Sequence, residues 1–218
     1  MKNYTFQTNL ASVDHNNNKI IYPFSPPVFQ TNVDEEVIEK LLAEGAKLTK
    51  EEDDANPLLA GNLLHGRSFS YREKTVKELE PVILKKVKDF LITLDLQFNS
   101  TWTDEVFDKL YLENLWVNFA KKYDFNPPHI HNSEFSFVIY CSVPQNIFDT
   151  QADSNTKEAG NIVFQYGEKI CNYMFDSFSV SPYDGLMFIF PAKLKHFVPP
   201  YWVDETRVSV SGSILIRW

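Results

Sequence analysis

The sequence predicts a mainly β protein with N-terminal helices, its strands joined in an antiparallel arrangement. Three observations carry that prediction. Apolar residues recur at three- and four-residue steps in the first half, and short apolar or alternating runs replace them from about residue 111. The runs are separated by Pro, Gly and Asp rather than by helical stretches, which argues against alternating βαβ units. At 218 residues and 44% hydrophobic composition the chain can bury a full core. Its size favours one domain over 1–218, with an extended and helical front (1–110) packed on a strand-rich core (111–218).

In chain order, residues 1–33 are polar and then proline-bearing, and YPFSPPVF at 22–29 reads as an extended stretch laid over the body. Asp34 precedes Glu35, Glu36 and an apolar series at Val37, Leu41 and Leu42, the pattern of a capped helix ending near Gly45 or Lys47. TKEEDDANP at 49–57 is charged and unpatterned, a surface loop. Val76, Leu79, Ile83, Val87, Phe90 and Leu94 form one apolar helical face, within which Pro81 implies a later start or a kink. Strands are expected at 114–119, 135–143, 161–166, 178–181, 185–190 and 207–216, with the polar tract 149–159 as a loop at one end of the fold.

Composition narrows the function classes. Cys141 and Cys171 are too few and too isolated for a disulfide framework or a CxxC metal site, so both are expected as small core residues of a protein in a reducing, cytoplasmic environment. The start of the chain lacks the basic and apolar regions of a signal peptide, and no apolar run approaches bilayer length, so no membrane association is expected. A net charge of −8 and a pI near 5.1 argue against nucleic acid as a partner. Oligomeric state is not legible, although an open sheet edge could pair two copies as a homodimer.

The histidines carry the chemistry. Of the five, at 15, 65, 129, 131 and 196, two form His129-Ile130-His131 in a segment expected to enter a strand. Residues i and i+2 of a strand share a face, so both imidazoles can reach one ion. Such pairs are also found as ordinary hydrogen-bonded residues. His196 adds weight because it follows GLMFIFP at 185–191, just past a second expected strand, and three ligands on one face leave coordination positions open. His15 and His65 lack such a context and are expected at the surface.

Arg207-Val208-Ser209-Val210-Ser211 alternates with strand period, so Arg207 and both serines share a face. If the valines face the packing side, the guanidinium enters a cavity where it can clasp a carboxylate with two hydrogen bonds. The other reading is an edge strand with the arginine in solvent. Arg67 and Arg72 in GRSFSYR could meet an acidic substrate, with solvated loop roles as the plainer reading.

His129-x-His131, then GLMFIFPAKLKH ending at His196, then RVSVSGSILI from Arg207, resembles in order the iron(II)- and 2-oxoglutarate-dependent oxygenase superfamily. It is most similar to a little-characterised bacterial and bacteriophage branch. LWVNFA at 114–119 and FSFVIYCSVP at 135–144 extend the likeness. The resemblance implies a double-stranded β-helix, a jelly-roll or cupin-like barrel. It implies Fe(II) held by His129, His131 and His196, with 2-oxoglutarate as cosubstrate. Arg207 would take the distal carboxylate, Ser209 would assist, and Tyr140 is a further candidate for the same group. Asn118 would line the site or serve as a structural side chain. One departure is plain: the superfamily's usual triad has an acid where His131 stands, and Glu134 is near enough in sequence to replace one imidazole.

The pattern also resembles cupins, whose first motif would be His129, His131 and Glu134; Arg207 favours the oxygenases. The expected activity is hydroxylation of a small-molecule or peptide substrate, in a host's cytoplasm if the protein is phage-encoded. A three-histidine dioxygenase without 2-oxoglutarate and a non-catalytic structural barrel are the alternatives.

Overall fold

The computed structural model describes residues 10–12, 19–21, 26–98, 104–149, 157–169, 171 and 175–217. Strands β1 (Leu10–Ser12), β2 (Lys19–Ile21) and β3 (Val28–Asn32) lead into helix α1 (Glu35–Gly45), the short helix α2 (Lys50–Asp53) and a 3-10 turn at Asn56–Leu58. Then come β4 (Arg67–Ser70), the long helix α3 (Glu73–Phe98), α4 (Asp104–Lys109), β5 (Leu110–Ala120), β6 (Asn126–His129), β7 (Phe135–Ser142) and α5 (Asn146–Asp149). The chain finishes with β8 (Ile162–Gln165), β9 (Ser177–Val180), β10 (Leu186–Pro191), β11 (Lys195–Val198) and β12 (Arg207–Ile216).

Eight strands form an antiparallel sheet in the order β1-β2-β3-β10-β7-β12-β5-β4, and four form a second in the order β6-β11-β8-β9. The expected jelly-roll is present as two facing sheets. No strand ladder joins them among the described residues, so the barrel is not closed by hydrogen bonds.

The large sheet is apolar on both faces, which is why β7 and β10 read as continuous hydrophobic runs. On one face Phe137, Ile139, Met187, Ile189, Val208 and Val210 join a core with Leu41 of α1 and Leu79, Ile83, Val87 and Phe90 of α3. Phe90 stacks on Phe29 at 5.4 Å and meets Phe135 edge-on at 5.8 Å. On the other face Val138, Tyr140, Phe188 and Phe190 pack with Ile162 and Phe164 of the small sheet. The valines of β12 thus face the helices, and Arg207 faces the space between the sheets.

Several expectations are corrected. Residues 28–32 are a strand paired with β2 and β10, not an extended stretch laid over the body; residues 22–25 lie outside the described residues. The supposed loop 49–57 holds α2 and the 3-10 turn, and Asp53 is buried, accepting from Arg72 at 3.0 Å. Arg72 also pairs with Glu52, so it is spent on this local contact. Helix α3 is continuous through Pro81 and starts eight residues before it, so the proline does not mark a later start. Asp34 stands before α1 as expected, yet its side chain makes no capping bond. Cys141 is buried but Cys171 is exposed, and both are free thiols. No helix is long and apolar enough to cross a membrane among the described residues. His15 and residues 150–156 of the polar tract lie outside the described residues.

Candidate metal and oxo-acid site

Tertiary pairing, not the local i, i+2 rule, assembles the histidines. Strand β6 ends at His129, so His131 lies beyond it, anchored by its backbone N–H to Ala192 O at 2.9 Å. His196 follows the end of β10 as expected and lies inside a further strand, β11, directly opposite His129 and, on its other side, Phe164. Two prolines, Pro127 and Pro128, sit in β6, where they are tolerated because β6 is the edge of its sheet. Ligand atoms of His129, His131 and His196 all lie within 4.8 Å of one another.

Their protonation suits a cation. His129 Nδ1–H donates to Pro127 O at 2.7 Å, and His196 Nδ1–H donates to Leu194 O at 2.9 Å. Each bond fixes the tautomer and leaves Nε2 with a free lone pair. His131 Nε2 stands 3.2 Å from His196 Nε2. Burial pushes the imidazoles down, His131 to about 4 and His196 to about 3, with His129 lowered as well. Three neutral imidazoles crowded together are a donor set for a divalent metal rather than for protons. Glu134 is exposed and outside this cluster, so the acid of the cupin pattern does not join it. His65 is exposed as expected.

The three histidines, Arg207, Ser209, Tyr140, Asn118 and Trp116 line one pocket between the sheets. Arg207 is only 4% exposed. Its Nη1 donates to Gly160 O at 2.7 Å, its guanidinium carbon lies 5.8 Å from the Tyr140 ring centre, and its Nε has no hydrogen-bond partner among the described residues. No carboxylate pairs with it among those residues. A buried cation in that state calls for an anionic ligand. Burial raises Tyr140 to about 12, with Arg207 opposing the shift, so its phenol is a neutral donor.

Three participants escaped the sequence reading. Gly160 has φ +72, a conformation that glycine adopts freely, and its carbonyl anchors Arg207. Tyr201 is buried, its hydroxyl 2.6 Å from Ala120 O, and the Arg207 backbone N–H donates to that hydroxyl at 3.4 Å. Trp116 lies 5.8 Å from the His131 ring. The isolated Gly160 was a visible signal; the two aromatic residues were lost among many others.

Similar solved structures include a prolyl-4-hydroxylase from Pseudomonas putida, 13% identical with a TM-score of 0.52, covering 89% of this chain and 95% of that one. HygX from Streptomyces hygroscopicus with nickel, 2-oxoglutarate and hygromycin B bound is 12% identical with a TM-score of 0.58, covering 88% and 83% respectively. The viral collagen prolyl hydroxylase of Paramecium bursaria Chlorella virus-1, in complex with 2-oxoglutarate, is 12% identical with a TM-score of 0.51, covering 86% and 94%. These likenesses are of fold, and the fold is the double-stranded β-helix of 2-oxoglutarate oxygenases.

The sequence match is narrower. Residues 114–212 match the family described as "Putative 2OG-Fe(II) oxygenase". All three histidines, Arg207, Ser209, Tyr140 and Asn118 fall inside it. No curated protein matches the chain.

Proposed function

We propose that the protein is a non-haem iron(II)- and 2-oxoglutarate-dependent oxygenase that hydroxylates a small-molecule or peptide substrate. The observation that carries this is the pairing of a neutral three-histidine cluster with a buried, carboxylate-free Arg207 in one pocket. His129, His131 and His196 would hold the metal, each through a ring nitrogen. Arg207 would clasp the distal carboxylate of 2-oxoglutarate, assisted by the hydroxyls of Ser209 and Tyr140. Bound there, iron and 2-oxoglutarate supply oxidative decarboxylation, with dioxygen giving one oxygen atom to succinate and the other to the hydroxylated substrate, and carbon dioxide released.

The chain's own part is positioning and exclusion of water. The backbone carbonyls of Pro127 and Leu194 orient two imidazoles, Gly160 O aims the arginine, and Phe164 and Phe190 wall the inner side. A groove of about 530 Å3 adjoins the pocket, sharing Leu59, Trp116 and His131 with it. That is a size suited to a small ligand or a short stretch of peptide, so the substrate would approach there. The two free cysteines fit a cytoplasmic site of action, a host's if the protein is phage-encoded.

The deciding experiment is anaerobic titration of the iron(II)-loaded protein with 2-oxoglutarate, following the visible charge-transfer band of a chelated oxo acid. The wild type should develop the band. His196→Ala should lose it with the metal, whereas Arg207→Ala should keep the metal and bind 2-oxoglutarate at least tenfold more weakly. An Arg207→Ala protein with unchanged affinity overturns the cosubstrate assignment.

A further inference from the structure

We propose that Asn118 binds the oxo-acid end of the cosubstrate, donating its side-chain amide N–H to the carboxylate beside the 2-oxo group, and that Ser68 is its positioning residue. This rests on the reading that a 2-oxo acid occupies the pocket.

Strand register sets Tyr140, Ser209, Asn118 and Ser68 side by side across β7, β12, β5 and β4. Along β12, Arg207 lies two residues before this row, and Ser211, paired with Trp116, lies two after it. At a rise of roughly 3.4 Å per residue the row falls midway along a stretch of roughly 14 Å. The arginine head sits over Tyr140 and bonds Gly160, towards the β7 side. Asn118 is on β5, the strand whose Trp116 approaches His131. A 2-oxo acid held at its far carboxylate by Arg207 therefore brings its other end towards Asn118 and the histidines.

The amide is oriented for that task. Asn118 is 8% exposed and Ser68 is 2% exposed. Ser68 Oγ–H donates to Asn118 Oδ1 at 2.6 Å, a separation at home in O–H···O bonds and short for N–H···O. Ser68 is itself held, its backbone N–H donating to Asn56 Oδ1 at 3.0 Å. With Oδ1 engaged, Nδ2 is the free end of the amide in the pocket, and no acceptor meets it among the described residues. A donor that opens into the pocket with no protein acceptor is placed to give an anionic oxygen a charge-assisted bond.

The test is direct binding of 2-oxoglutarate and of 2-oxobutyrate, which lacks the distal carboxylate, to the iron(II)-loaded protein under nitrogen. Tryptophan fluorescence and calorimetry serve as readouts, with the melting temperature of each variant measured alongside. Asn118→Leu should bind both oxo acids about tenfold more weakly or worse. Asn118→Asp should be weaker still through charge repulsion. Ser68→Ala, which frees the amide to turn, should lose a few-fold on both. Arg207→Ala should lose affinity for 2-oxoglutarate alone.

Should Asn118→Leu fail to fold, Asn118→Asp and Ser68→Ala carry the same comparison. Unchanged affinity in the Asn118 variants of a protein that binds 2-oxoglutarate overturns this assignment only, as does a loss confined to 2-oxoglutarate. A wild type that binds neither oxo acid overturns it together with the cosubstrate reading.

Discussion

His196 shows how one imidazole is kept neutral. It is 8% exposed, held by a bond from Nδ1–H to Leu194 O, and pushed down to about 3 by burial and by its two histidine neighbours. His131, at about 4, and His129 shift the same way. An unfolded histidine titrates near 6.5. Below that pH the unfolded chain takes up protons that the folded site refuses, so stability present above about 6.5 is lost as pH falls towards 4 and then 3. The metal-free protein should therefore show a melting temperature that drops between pH 6.5 and 5. A His129→Gln/His131→Gln/His196→Gln variant should show a shallower drop over that interval; equal slopes would mean that these imidazoles are not held neutral.

Among the elements, the turn that ends at Gly160 and the start of β12 act together. Gly160 sits at φ +72, and a Cβ there would come within 2.5 Å of Ile147 Cγ2. Substitution strains both the backbone and the packing of α5, and it shifts the carbonyl that receives Arg207 Nη1. Gly160→Ala is expected to cost about 1–3 kcal/mol of stability and also to weaken 2-oxoglutarate binding several-fold. Denaturant unfolding and oxo-acid titration check the two effects separately, and a stability loss with intact binding would show that Arg207 does not need this anchor. A second clamp lies at the far end of β5. The buried Asp124 carboxylate accepts backbone N–H bonds from His65, Gly66 and Lys121 at 2.7–3.0 Å. It ties the segment that brings Leu59, Ala60 and Gly61 to the pocket onto the turn leading into β6.

At the scale of the whole molecule, the large sheet is a wall between two cores, helices behind and the site in front. The position of Arg207 then depends on the rear packing of Val208 and Val210 as much as on its own contacts. Phe90, fully buried between Phe29 and Phe135, is the keystone of that rear core. Phe90→Ala should destabilise the fold by about 3–5 kcal/mol in equilibrium unfolding. Metal affinity of the fraction that remains folded should change little, because His129 and His196 sit on the other sheet; a parallel loss of metal binding would mean that the two sheets are coupled more tightly than their separate ladders imply.

Much of this was legible in the residues themselves. The apolar face of α3, the runs of β5, β7, β10 and β12, the His129-x-His131 pair, His196 and the alternation at Arg207 follow from local periodicity and side-chain chemistry, which the chain carries whatever its surroundings. Strand β11 was missed and β6 was expected only from the histidine pair, because Pro127-Pro128 and a four-residue segment carry no strand signal of their own, and only an edge position and pairing with neighbours make them strands. The continuity of α3 through Pro81 likewise goes with burial of its apolar face against the sheet. By itself the sequence determined which residue types were on hand: three imidazoles, an arginine, and enough apolar surface for a two-sided sheet. Only the tertiary structure decided that His129 faces His196, that Glu134 stays outside, and that Gly160, Ser68 and Trp116 serve the pocket, because those relations are contacts between segments remote in sequence, formed when the two sheets pack face to face.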